Sequence, residues 1–290
     1  MSLVEINTDG LAKLGETIFH GLGITAYGNK KLADAEQYAA IKKVETETKV
    51  ELLKLKGQSE IAEYVLSRET RKFNNAKAVI EYAANNFSEG EQVSSEPVSQ
   101  SWLNRFFDIV ENISEEDVQE IWGKILAGEV KQPKSYSLRT LEVLQHLTQE
   151  DAKLFIQSLN CYIANGFICV EDFVLSLNER LRLLDCGLIY GEDLVKEWMV
   201  NPHGELLVKI DDDFYFELIN ATDKMVRCHC NVRKITTSGL ELMRLFSRIE
   251  RNGFYASLAG LLKYQGISRV IKYKATPDRQ SYDFTNGEEL

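Results

Sequence analysis

The chain has 290 residues, a formal net charge of −10 and a sequence pI near 5.1, an acidity that argues against a general nucleic-acid binder as the default. Hydrophobic residues at 44% and charged ones at 27% match an ordinary globular protein, long enough for one large domain or two modest ones. No apolar run reaches the roughly 18 residues of a membrane-spanning helix, and five sparse cysteines do not make a disulfide framework. The acidic opening MSLVEINTDG lacks the basic segment of a secretory leader, so the cytoplasm is the expected location.

In chain order, Leu11, Leu14, Ile18 and Leu22 fall on one face of a short helix among glycines. A membrane-surface role for it is weighed against packing on the body or a partner, and packing is preferred because only Lys13 is basic before Lys30. Residues 29–86 contain no proline and read as one long, mostly polar helix with Gly57 as its weak point. A helix this long carrying Val44, Val50, Leu52, Leu53, Leu55, Ile61, Val65 and Leu66 needs something to pair with. Oligomerisation through a helical hairpin or short coiled coil is the preferred reading. The alternative is that Gly57 breaks the helix and folds both halves onto their own domain.

Residues 87–101 (FSEGEQVSSEPVSQS) have a linker composition. Four apolar stripes at helical spacing follow. They are Trp102, Phe106, Ile109, Val110 and Ile113; then Val118, Ile121, Trp122, Ile125 and Leu126; then Leu138, Leu141, Leu144 and Leu147; then Ala152, Phe155, Ile156 and Leu159. Ser114 with Asp117, and Thr148 with Asp151, have the spacing of capping boxes. From Glu89 to Glu120 Arg105 is the sole cation, which reads as a solvated face before it reads as a surface for a basic partner. Phe107 lies off its stripe and is core packing ahead of a ligand cage.

The stretch Cys161–Val174 is short and apolar, a buried helix end or a strand, and a helix from about Leu175 leads to Gly187 as its C-cap. Segments 206–210 and 214–219 read as strands joined by Asp211-Asp212-Asp213, with a third strand at 225–235 and a helix capped by Thr236 or Thr237. Between Ser247 and Arg279 seven cations stand against Glu250 and Asp278. Of these, Arg248, Arg251, Lys263, Arg269, Lys272 and Lys274 are the candidate nucleic-acid contacts. Residues from Pro277 on read as a frayed tail.

Chemistry is sparse. Cys228-His229-Cys230 has C-x-C spacing with no second pair, and in a strand the two thiols and the imidazole face opposite ways, so no metal site is assigned. Asp211-Asp212-Asp213 reads as a hairpin turn ahead of a cation site. Glu129 and Arg139 bracket the turn at Pro133 and are assigned to clamping it, ahead of a catalytic role. No catalytic motif is recognisable and no cofactor is expected, although carboxylate-only nucleases evade such motifs.

The run Trp102, Phe106-Phe107, Ile113-Ser114, Trp122, Ile125-Leu126-Ala127-Gly128-Glu129, Pro133, Ser135-Tyr136-Ser137, Arg139-Thr140, Leu144 and Asp151-Ala152 resembles a bacterial family called domain of unknown function 2806. Weaker echoes lie at 7–15, 184–189 and 235–242. Lys134 departs from the pattern, which has a glycine after the proline. More distantly the chain is similar to Abi-alpha (abortive infection alpha) proteins, a resemblance that implies a role in phage defence. It implies no catalytic residues.

The expected fold is mainly α, with an N-terminal helical arm (1–86), a linker (87–101), a helical core (102–200) and a small α+β C-terminal module (201–290) like a permuted winged helix. The expected function is a non-enzymatic interaction protein, homo-oligomeric through residues 29–86 and open to a protein partner. A nucleic-acid binder and a metal-dependent hydrolase with acidic ligands are the alternatives.

Overall fold

The computed structural model of the chain describes residues 13–15, 17, 33–88, 91, 93–171, 174–246, 252–276 and 282–290. The chain divides into two compact units, Met1–Gln145 and His146–Leu290. Most of the glycine-rich opening lies outside the described residues, as do Arg248, Arg251 and Arg279.

The first unit is helical. Helices α1 (Ala33–Leu55) and α2 (Ser59–Ala84) replace the single long helix expected over 29–86. Gly57 causes the break. It takes a left-handed φ of +71°, its N–H donates to Lys54 O (2.9 Å), and the Gln58 N–H donates to Leu53 O (3.0 Å). That bond pattern ends a helix by satisfying its free carbonyls. Helix α2 then buries Ala62, Val65, Val79 and Ala83 and packs on α4 (Glu116–Lys131). The contact is close at Gly123, where a Cβ would stand 2.5 Å from Tyr82 Cβ.

Helix α3 (Gln100–Val110) buries Trp102, Phe106, Ile109 and Val110 of its stripe together with Phe107, which meets Phe106 edge-on at 5.5 Å, while Ile113 lies past its end and is half-buried. Trp102 stacks on Phe106 at 5.0 Å, and Trp122 from α4 meets the same ring at 5.6 Å. Helix α5 (Leu138–His146) follows. The capping box expected at Ser114 does not form. The N-cap of α4 is Glu115, with no side-chain cap bond, and Ser114 Oγ instead accepts from Asn75 Nδ2 on α2 (3.3 Å).

In the second unit, α6 (Gln149–Ser158) leads through a 3₁₀ turn into the hairpin β1 (Tyr162–Ile163) and β2 (Phe167–Cys169), then α7 (Leu177–Asp185). There follow β3 (Leu194–Val200), β4 (Glu205–Lys209), β5 (Phe214–Ile219), β6 (Val226–Lys234), α8 (Thr237–Met243), α9 (Asn252–Tyr264), β7 (Arg269–Lys274) and β8 (Glu288–Glu289). The strands form two four-stranded antiparallel sheets, ordered β1-β2-β6-β3 and β4-β5-β7-β8. The expectation of a mainly α chain is therefore wrong, and the small winged-helix-like module goes with it.

The physical reason lies in strands such as β3 and β6, which spend alternate positions on water. In β6, Val226, Cys228, Cys230 and Val232 face inward while Arg227, His229 and Asn231 face out. Inner residues of both sheets and of α9 (Phe254, Tyr255, Leu258 and Leu262) join in one apolar core.

Thr148 and Asp151 do form a capping box at the start of α6. Burial works against ionisation of Asp151. It is outweighed by hydrogen bonds from Thr148 Oγ1 (2.6 Å), Thr148 N–H (3.0 Å) and Arg182 Nε (2.5 Å), which hold the carboxyl down at about 2. A carboxylate depressed on folding stabilises the native state above its unfolded value, and that contribution is lost as pH falls toward the folded one. Acid unfolding should show it. Asp151→Asn is expected to be less stable than the parent at neutral pH, and the gap between them should shrink as pH drops from about 4 to about 2.

Candidate functional site

The turn after α4 is built around a buried carboxylate. Glu129, at 2% exposure, accepts hydrogen bonds from the backbone N–H of Lys134 (2.6 Å) and of Tyr136 (2.9 Å). Burying a carboxylate is costly unless its oxygens are satisfied, and two backbone donors satisfy it here. Lys134 is held at a φ of +70°, the left-handed region where a glycine would sit without strain. Tyr136 is in turn fixed on both sides: its ring lies against Gly128, where a Cβ would come within 2.8 Å, and its carbonyl accepts from Trp102 Nε1 (2.7 Å). The clamp thus joins the end of α4, the turn and α3. Arg139 is exposed and makes no ion pair or hydrogen bond with a described residue, so the two bracketing residues are not brought together.

The stretch before α3 is tied to the same end of α4. Lys131 Nζ donates to Asn86 O (2.7 Å) and pairs with Glu91 (2.8 Å), while the Ser94 N–H donates to Lys131 O (2.9 Å).

The candidate cations of the second unit are largely engaged. Arg269 holds Glu289 through Nε (3.2 Å) and Nη2 (2.8 Å). Lys272 is nearly buried, pairs with Glu288 at 2.7 Å, and lies 5.2 Å over the Phe214 ring and 5.3 Å over that of Tyr255. Lys263 donates to Leu290 O. Lys274 is exposed and has no ion pair with a described residue. The acids come from segment 282–290, expected to be frayed, which instead folds back as β8 along β7; residues 277–281 lie outside the described ones.

Asp211 is fully buried and accepts from the N–H groups of Asp213 (2.8 Å) and Phe214 (2.9 Å) and from the Tyr255 hydroxyl (2.5 Å). That is how a carboxylate organises a hairpin turn. Four of the five cysteines (Cys161, Cys169, Cys228 and Cys230) line the apolar core. Burial pushes the Cys228 thiol up to about 11, as it does for Cys186. A hydrogen bond from Cys230 lowers the Cys169 thiol and raises that of Cys230 itself. Among the described residues no three His, Cys, Asp or Glu side chains converge as a metal site, and no helix is long and apolar enough to cross a membrane.

What these sites can do is hold the backbone and pair with charged segments. The chain is an α+β protein whose polar cores are spent on turns and caps. Residues 60–167 match the family model described as "Protein of unknown function (DUF2806)", so the likeness carried by Trp102 to Ala152 is shown. The more distant likeness to Abi-alpha proteins is not. No curated protein and no solved structure matches the chain.

Sequence reading missed the Asn165-Gly166 turn between β1 and β2, both residues at positive φ, although an Asn-Gly pair is a strong hairpin signal. It also missed the Ser176–Glu179 capping box of α7.

Glu129→Ala is expected to cost about 3 kcal/mol by urea unfolding, since it strands the buried Tyr136 N–H and the part-buried Lys134 N–H, and Glu129→Gln to cost less because one acceptor remains. Lys134→Gly should act the other way. Relief of left-handed strain outweighs the added freedom of the unfolded chain, for a gain of up to about 1 kcal/mol in the same measurement.

Proposed function

We propose that the chain is a non-enzymatic interaction protein that self-associates through the α1–α2 hairpin. The observation that carries this reading is an apolar stripe on α1. Val44, Leu52 and Leu55 are 59%, 54% and 84% exposed, while Val50 on the same helix is buried. At 3.6 residues per turn the three exposed positions fall within an arc of about 80°, and Val50 lies outside it. Helix α1 therefore uses one face on its own unit and presents a second apolar face to solvent. Ile61 and Tyr64, at the start of α2, are exposed as well. Apolar side chains clustered this way on a surface mark contact sites, and a second copy of the helix offers a matching stripe.

The nucleic-acid alternative is weakened by the ion pairs of Arg269 and Lys272, which occupy the charge it would need. The hydrolase alternative is weakened by the engagement of Asp211 with its own turn.

Light-scattering mass of the full chain tests the proposal. An oligomer is expected for the parent and a monomer for Leu52→Glu/Leu55→Glu, with little change in circular dichroism because both positions are exposed. Equal masses for the two would remove the self-association reading.

A further inference from the structure

The residues that meet β7 from segment 282–290 read as a ligand with a defined pattern. Gly287 passes close to the sheet, where a Cβ would stand 2.7 Å from Tyr273 Cε1 and 3.0 Å from Ile271 Cγ2. Glu288 pairs in register with Lys272 and Glu289 with Ile271. Their carboxylates go to Lys272 (2.7 Å) and to both forks of Arg269 (3.2 and 2.8 Å). Leu290 packs against the apolar core, its N–H donates to Val270 O (3.0 Å), and its carbonyl accepts from Lys263. A small residue, two acids and an aliphatic side chain are each read by a separate feature of the edge. Main-chain bonds along a strand give affinity in such a contact, and side-chain sites give its specificity.

Tyr282 anchors the start of the segment against Tyr215 (5.5 Å) and Tyr273 (5.3 Å), and the hold on the acidic pair beyond it is lighter. The paired strand is two residues long, and Glu288 and Glu289 keep 62% and 51% of their side chains exposed. Exposed pairs contribute little to stability, and short stretches with few buried contacts open far more often than the fold as a whole. The edge beneath is better built. Lys272 lies over two aromatic rings, contacts in which Glu288 takes no part.

We infer that the edge of β7, with Lys263, Arg269 and Lys272, is a strand-addition site for an acidic peptide of the pattern Gly-acidic-acidic-aliphatic, which residues 287–290 cover in cis. A partner carrying that pattern in an extended segment displaces the cover and adds a strand to the sheet. The partner is recognised by its charge and by the absence of a side chain at its first position.

The test is fluorescence anisotropy of a labelled Asn-Gly-Glu-Glu-Leu peptide on the full chain. A tethered competitor acts at an effective concentration on the order of millimolar, so Glu288→Ala/Glu289→Ala, which weakens the cover, should bind the peptide at least about tenfold more tightly than the parent. Adding Arg269→Glu to that variant should abolish binding, and an Asn-Gly-Lys-Lys-Leu peptide should not bind. Equal affinity for the acidic and basic peptides, or no gain in the double variant, overturns the proposal. A parent dimer that persists in the Leu52→Glu/Leu55→Glu background and is lost on adding Glu288→Ala/Glu289→Ala also overturns it, because the occupant would then be a second copy. If the double variant does not fold, amide exchange in the parent decides. Excess acidic peptide should speed exchange at Leu290, and unchanged protection there counts against the site.

Discussion

A carboxylate buried at the end of a helix constrains everything around it, because it must find donors at fixed places. Glu129 finds them in the backbone of Lys134 and Tyr136, and in doing so dictates the path of the turn. The turn delivers Tyr136, whose carbonyl is the partner of the Trp102 indole. Trp102 stacks on Phe106, and Phe106 meets Trp122. One electrostatic requirement is thus passed along four contacts to the centre of the helical unit. Many of the residues that carry the family resemblance, among them Trp102, Gly128, Glu129 and Tyr136, belong to this chain of contacts. In this structure they hold the turn and the aromatic core in place. The left-handed Lys134 belongs to the same account, since two hydrogen bonds to one carboxylate can hold a backbone that a lysine would not adopt unaided.

The two units satisfy their polar groups in different ways. In the helical unit the strongest bonds lie inside, and an apolar stripe on α1 is left facing outward. In the sheet unit the apolar surface is shared among both sheets and α9, and the charges at the edge of β7 are met by acids from a segment far along the chain. Surface that would serve recognition is therefore apolar in one unit and ionic in the other. Each kind suits a different occupant.

The helical unit was legible because its information is local. The stripe from Trp102 to Val110 and that from Val118 to Leu126 repeat at the helical period, and in the other unit the Thr148–Asp151 box was legible for the same reason, being contained in four residues. The sheets were less legible because their pairing is long-range. Nothing local says that Cys169 lies in register with Val232, or Phe214 with Lys274. In β7 only the cations stand out in the sequence, because Val270 and Ile271 are adjacent and its buried positions do not alternate cleanly. The basic segment was also counted without the acids that neutralise it, since Glu288 and Glu289 are remote in sequence from Lys272 and Arg269. Gly57 carried both outcomes from the start: composition permits a weak point in one long helix as readily as a corner between two, and only packing of α2 on α4 decides.

The distribution of sulfur gives the molecule a built-in clock. Cys161, Cys169, Cys228 and Cys230 are sheltered in the core of the sheet unit, whereas Cys186 at the end of α7 is partly open to solvent. A thiol reagent added to the native chain reaches Cys186 first, slowly because burial holds that thiol up to about 11, and the four buried thiols react as the unit opens. The rate at which the second to fifth labels are added therefore measures how often the whole unit opens, without any probe having been introduced.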